Sequence, residues 1–211
     1  MNEFTQPSPR HYIWDLDGTL LDSYPVIVAA AKAAVWEAGL RDPESEILRR
    51  VKRDTLSAYL REAASRSGCA YDILYSRYRE NTHRMDERIT LMDGAGEALE
   101  RLARAGGVHY VYTHRGDSSG PILRSLGILP YFREVVTSSY GFPPKPAGDG
   151  ILYLTEKYRL PPADTWYIGD RALDVLCGKA AGVRSVLLLP EDSCVIPTGQ
   201  EDRIIRSLRE L

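Results

Sequence analysis

Cysteine is scarce in this chain, with three in 211 residues: Cys69, Cys177 and Cys194. They are odd in number and far apart, and no CxxC pair or zinc pattern joins them to the four histidines. A disulfide scaffold is excluded on that ground, and reduced thiols in a cytoplasmic protein are expected. Charge of one sign is also lacking. Lys and Arg number 27 against 29 Asp and Glu, a formal charge of -2. That balance gives no electrostatic reason to expect nucleic acid or an anionic membrane as the main partner. No apolar run approaches the roughly 20 residues that cross a bilayer. The opening MNEFTQPSPR holds an acid, two prolines and no apolar core, so it does not read as a secretory signal. There is no GxxxxGK[ST] pattern, and Gly94-Ala95-Gly96 does not complete a dinucleotide fingerprint. Nucleotide cofactors therefore have no support.

What is present is ordinary for a globular chain: 44% apolar and 27% charged residues. Five short, almost continuously apolar runs read as strands buried on both faces: 11–16, 108–113, 134–138, 165–168 and 185–189. Helical patterns over 96–105, 118–126, 147–158 and 172–181 separate the later runs. The alternation implies right-handed crossovers and an α/β fold with a doubly wound, mostly parallel sheet. A final amphipathic stretch, 202–211, is expected to close the domain. Between Asp22 and Ile89 the rhythm breaks. That region holds no convincing strand and reads as several helices, the first over 23–38 with Pro25 in its first turn and Gly39 at its exit. Its basic and acidic residues are interspersed, as on solvated helix faces. The expected organisation is a core of residues 1–21 and 90–211, with an all-helical insert over 22–89 after the first strand.

In an open parallel sheet, ligands collect at the carboxyl ends of the strands. The first run ends in IWDLDGTLLDS, where Asp15 and Asp17 are two apart and Gly18 lets the chain turn. Such a pair can hold a hard cation, divide labour as nucleophile and acid/base, or simply make a turn. The second run ends in VYTHRG. Thr113 can offer its hydroxyl to a phosphate oxygen or cap the helix that follows. After the third run comes GFPPKP, whose prolines limit where the Lys145 ammonium can go. The fourth ends in YIGDRALD, with Asp170 leaving the strand and Asp174 one helical turn on. Two carboxylates so close repel unless a cation or a lysine joins them. Each feature has a bland explanation by itself, but together they bring four acids, one hydroxyl and one lysine to neighbouring strand ends.

The order Asp-x-Asp-Gly-Thr, Thr, Lys-Pro, Gly-Asp-x-x-x-Asp resembles the haloacid dehalogenase superfamily across roughly the whole chain. The helical insert after the first motif and the tract YIGDRALDVLCGKAAGVRSVLLL are similar to its phosphoglycolate phosphatase and β-phosphoglucomutase branch, in which the insert is a small cap. The resemblance implies a magnesium-dependent phosphatase acting on a small phosphorylated metabolite through an aspartyl phosphate. By it, Asp15 is the nucleophile and Asp17 the general acid and base. Thr113 and the amide of His114 hold the phosphoryl group, and Lys145 neutralises charge beside it. Mg2+ lies between Asp15, the main-chain carbonyl of Asp17, and Asp170, with Asp174 binding its waters or holding Lys145. These parts suit phosphoryl transfer, which asks a protein mainly for positioning and charge stabilisation.

Two departures bear on specificity. The branch usually has a small residue or Asn where this chain has His114, so that His114 packs in the loop or touches substrate. Arg115 then reaches an anionic group of the substrate or forms a surface salt bridge. Within the insert, VKRDTLSAYL is similar to the segment with which β-phosphoglucomutases bind a distal phosphate, and it puts Arg53 at the corresponding position. Those mutases also carry a cap histidine where this chain has Ile27, which favours phosphatase over sugar-phosphate mutase. Two non-enzyme readings compete, a receiver-like phospho-switch and a pseudo-enzyme interaction module. Receivers are shorter, lack a helical insert and carry their phospho-acceptor outside a DxDGT motif, which opposes the first, and the complete motif set opposes the second.

Overall fold

The computed structural model describes residues 11–211; the expected first ten residues of the core lie outside the described residues. Strand β1 (His11–Trp14) runs into the acidic turn and the two-residue β2 (Leu21–Asp22). Four helices follow: α1 (Tyr24–Glu37), α2 (Glu44–Arg53), α3 (Leu56–Ser67) and α4 (Tyr71–Met85). The chain returns through β3 (Thr90–Leu91), which pairs antiparallel with β2. This small ribbon, invisible as a hydrophobic pattern because it is two residues wide, brings the two connections of the helical region together. Helices and strands then alternate: α5 (Ala95–Arg104), β4 (Val108–Tyr112), α6 (Ser119–Ser125), β5 (Phe132–Val136), α7 (Asp149–Tyr158), β6 (Thr165–Gly169), α8 (Ala172–Ala180) and β7 (Arg184–Leu188).

The main sheet has the order β5-β4-β1-β6-β7-β8, and all its pairs are parallel. Its sixth strand, β8 (Arg203–Ile205), corrects the reading of residues 202–211 as one amphipathic stretch. Only Ile205 of β8 is buried, and a single 3-10 turn over Leu208–Glu210 follows. An edge strand with one face open to water carries too weak a signal to read from a pattern.

Alternation along the strands divides the core in two. Tyr12 and Trp14 of β1, Val111 of β4 and Ile168 of β6 pack on one face with Leu99 of α5 and Leu123 of α6. Ile13, Tyr110, Tyr112 and Tyr167 point to the other face, against Ile151 and Leu154 of α7 and Cys177 of α8. The helical region has a separate cluster, in which Ile27, Ala31 and Val35 of α1 meet Ile47 and Val51 of α2, Leu60 of α3 and Leu74 of α4. At the start of α3, Thr55 accepts the Ala58 N–H at 3.0 Å, satisfying an otherwise orphaned donor.

The sheet order reverses at β1, with β4 and β5 on one side and β6, β7 and β8 on the other. At such a switch point the connections part to opposite faces and leave a crevice beyond the strand ends.

Candidate active site

The register aligns Trp14 with both Val111 and Ile168, so three central strands end level. The Asp15 N–H continues the ladder to the Ile168 carbonyl at 2.9 Å, and the Thr113 N–H reaches the Val136 carbonyl at 3.0 Å. The first residues past the strands are thereby held as firmly as the strands themselves. Asp15, Thr113, Lys145, Asp170 and Asp174 are all buried there.

Lys145 ties the cluster together. Its Nζ lies 2.6 Å from Asp15 Oδ1 and 2.9 Å from Asp174 Oδ1. Burial opposes its charge, but the two carboxylates outweigh that and hold its pKa above the ordinary lysine value. Burial pushes Asp15 up to about 7, although Lys145 pulls in the other direction. Asp174 is committed on both oxygens, since its Oδ2 accepts the Arg171 N–H at 3.1 Å. Asp15 Oδ2 and Asp170 Oδ2, by contrast, are buried and accept no hydrogen bond. One oxygen from each of Asp15, Asp170 and Asp174 lies within 4.8 Å of the others. Two buried carboxylate oxygens that accept no hydrogen bond suit a hard, oxygen-seeking cation, with the Lys52 ammonium 3.3 Å from that of Asp170. Because Asp174 is already engaged, Asp15 and Asp170 are the pair that can hold one. Gly18, with φ of +82°, lets the acidic turn pass close by, for a Cβ there would stand 2.5 Å from Asp170 Oδ2.

Asp17 points elsewhere. Arg115 forks onto it, with Nη2 2.7 Å and Nε 3.0 Å from Oδ1, and Arg115 Nη1 lies 3.5 Å from Asp86 Oδ1. Burial opposes ionisation of Asp17, but the guanidinium prevails and holds the carboxyl below its usual value. Of the two fates expected for Arg115 the pairing is the one found, in a buried form: its side chain is only 8% exposed. Thr113 Oγ1 accepts the Arg115 N–H at 3.1 Å, which leaves its hydroxyl proton free to donate. His114 packs in the loop, where its Nε2 accepts the Lys145 N–H at 2.7 Å. Burial first, and then the charges of Lys145 and Arg171, push that imidazole down to about 3.

Above the cluster, a cavity of about 1050 Å³ separates the strand ends from α1, α3 and α4. Asp17, His114 and Arg115 line its floor, and Ile27, Tyr75, Tyr78 and Arg79 line the helical side. Arg53 is not brought there. Its side chain is 57% exposed and turned onto the neighbouring Asp54. The adjacent Lys52 instead reaches the core, 3.3 Å from Asp170 Oδ2 and 4.5 Å above the Tyr24 ring. One residue is a rotation of about 100° on a helix, and a match of sequence segments does not resolve that phase. Arg171 also escaped the sequence reading. It lines the cavity beside Asp17, and its only signal was its place next to Asp170 in the fourth motif.

Buried carboxylates and a lysine at the switch point of a doubly wound parallel sheet, roofed by helices, define an α/β enzyme whose chemistry sits at the strand ends. Residues 12–188 match the model of the haloacid dehalogenase-like hydrolase family, and the chain belongs to that family. Among curated relatives, a phosphoglycolate phosphatase of Xanthomonas campestris is 30% identical over 188 residues, covering 86% of this chain and 83% of the relative. Another, from Pseudomonas fluorescens, is 27% identical over 191 residues, 85% of this chain and 69% of its own. A solved haloacid dehalogenase-like family hydrolase from Streptococcus pneumoniae shares the fold, with a TM-score of 0.77 at 21% identity over 96% of both chains.

Proposed function

We propose that this protein is a divalent-metal-dependent phosphatase of small phosphorylated metabolites, working through an aspartyl phosphate on Asp15. The observation that carries the reading is the buried Asp15–Lys145–Asp174 network, beside which one oxygen each of Asp15 and Asp170 is buried and accepts no hydrogen bond. The relatives named phosphoglycolate phosphatase support a phosphorylated substrate. In this reading, residues 22–89 are a cap that closes over a core formed by 1–21 and 90–211.

Asp15 and Asp170, with the main-chain carbonyl of Asp17, would hold Mg2+. The ion, when bound, supplies positive charge that keeps Asp15 ionised and offsets the negative charge of the phosphoryl oxygens. Lys145 aims Asp15, since its bond to Oδ1 fixes the carboxylate plane. Attack forms an O–P bond to Asp15 while the bond from phosphorus to the leaving oxygen breaks. Thr113 Oγ1–H and the His114 N–H donate to the phosphoryl oxygens. Asp17, once it has taken up a proton from solvent, gives it to the departing oxygen, then takes one from a water that attacks phosphorus, releasing orthophosphate and restoring Asp15. His114 cannot share the proton traffic, because its imidazole stays neutral and its Nε2 lone pair is spent on Lys145. Ile27 faces the cavity where the mutases carry a histidine, which leaves the mutase reading without that cap proton donor.

Turnover of p-nitrophenyl phosphate with and without Mg2+ tests the reading. The wild type should release phosphate only with metal, and Asp15→Asn should abolish turnover. Asp17→Asn keeps the nucleophile but loses the shuttle, a cost of about 10²–10⁴-fold. Nitrophenolate leaves without needing a proton, so this variant should give one burst per site and then stall. Mass spectrometry of the acid-quenched protein should then find phosphate on the peptide holding Asp15. Steady turnover by Asp17→Asn, or an adduct elsewhere, would refute the roles given to these two acids.

A further inference from the structure

Four cations face the carboxylates of the site: Lys52, Arg115, Lys145 and Arg171. Three of them are occupied. Lys145 bonds Asp15 and Asp174, Arg115 bonds Asp17, and Lys52 lies against Asp170 and the Tyr24 ring. Arg171 is different. Its side chain is 9% exposed, and its Nε is buried with no hydrogen-bond partner. The nearest carboxylate oxygen, Asp174 Oδ2, stands 3.9 Å away and already accepts the Arg171 main-chain N–H. A guanidinium carries five N–H donors in a rigid fork, and burying it without acceptors is costly. The fork lines the cavity beside Asp17, Tyr24 and His114, on the residue that directly follows Asp170.

We propose that Arg171 binds an oxygen of the phosphoryl group being transferred, as a second cation opposite Lys145. The inference rests on the phosphatase reading above and adds to it a residue that the four motifs do not contain. Its geometry matches the ligand, because a guanidinium fork meets tetrahedral oxyanions with paired, directed bonds whereas an ammonium offers a point charge. Charge points the same way, since Arg171 adds a positive charge beside Asp17 on the cavity wall, where a phosphoryl dianion would arrive.

Two effects of opposite sign separate this role from a structural one. Arg171→Met removes both the anion-binding fork and a positive charge beside the acids. Calorimetry should find orthophosphate, titrated in the presence of Mg2+, bound at least tenfold more weakly than by the wild type. Mg2+ titrated alone should bind severalfold more tightly. Arg171→Lys should fall between wild type and Met in both titrations. A residue that merely holds the fold would weaken both ligands together when replaced, and that result overturns the proposal. Orthophosphate affinity within twofold of wild type in the Met variant also overturns it, as does a wild type that binds no orthophosphate. If near-ultraviolet circular dichroism shows the Met variant unfolded, Arg171→Lys decides: weaker orthophosphate with unweakened Mg2+ supports the role, and any other pair of results refutes it. The two readings fail separately. If orthophosphate binding depends on Arg171 while no phosphate ester is hydrolysed, the subsite stands and the phosphatase reading falls. If esters are hydrolysed and the Met variant keeps its kcat/KM, the subsite falls and the phosphatase reading stands.

Discussion

Asp17 carries two proposed jobs, and the structure holds it in the form suited to only one of them. A carboxylate gripped by a buried guanidinium is a ready base, but it must take up a proton before it can act as an acid. Arg115 therefore sets the protonation of Asp17, and its contact with Asp86 ties that setting to the segment that follows α4. Removing the guanidinium should let burial dominate and raise the carboxyl, since an opposite charge at this range lowers a pKa by roughly 1–3 units. With p-nitrophenyl phosphate the leaving group needs no proton, so turnover waits on Asp17 as a base. Its acid limb marks protonation of that base. In Arg115→Met the limb should move to higher pH, by about one unit or more, in a kcat–pH profile. A limb that stays in place would mean that Arg115 does not control Asp17.

At the scale of elements, the site depends on how closely β6 and α8 can approach. A Cβ on Gly169, the last residue of β6, would stand 2.3 Å from Asp174 Cβ in the first turn of α8. Asp174 can therefore reach back to Lys145 only because residue 169 has no side chain. Gly169→Ala should push the helix start from the strand and cost about 1–3 kcal/mol as overpacking. For a chain of this length that corresponds to a Tm roughly 2–12 °C lower. The displaced Asp174 should loosen Lys145, so phosphatase turnover should fall further than the stability loss explains. Unchanged Tm and turnover would show that the strand and helix can part freely. The α2 helix teaches a related lesson. Its apolar face, Ile47 and Val51, docks on α1, and that docking turns Lys52 toward Asp170 while Arg53 faces solvent.

For the whole molecule, the centre of the sheet sets a pH limit. His109 of β4 is buried, and its Nδ1 accepts the Trp14 indole N–H from β1 at 3.0 Å. The proton of the neutral ring must therefore sit on Nε2. Burial pushes this histidine down to about 4 from 6.5. Between those values the unfolded chain binds a proton that the folded state refuses, so stability is full above about pH 6.5 and falls as pH drops toward 4. The loss is on the order of 3 kcal/mol at the acid end. Urea unfolding from pH 7 to 4.5 should be steeper in pH for the wild type than for His109→Gln, which cannot titrate. Parallel profiles would place the acid sensitivity elsewhere. Among the described residues, no helix is long and apolar enough to cross a membrane.

Read alone, the sequence settled the alternating α/β core, its strand-end acids, Thr113 and Lys145. Those features are local: a short, almost continuously apolar run marks each strand, and the turn residues mark where each strand ends. The all-helical character of the region after β1 was also legible, apart from the ribbon of β2 and β3. What the sequence could not settle depends on contacts between distant segments. Strand β8 exists because β7 offers it an edge, not because its own residues demand a strand. Arg115 meets Asp17 across 98 positions and Lys145 meets Asp15 across 130. Whether an arginine ends on solvent, as Arg53 does, or on buried acids, as Arg115 does, follows from helix phase and loop path. The one-dimensional pattern names the charged groups, but only the packed fold decides which of them share a low-dielectric space, where their pairing or lack of it becomes chemistry.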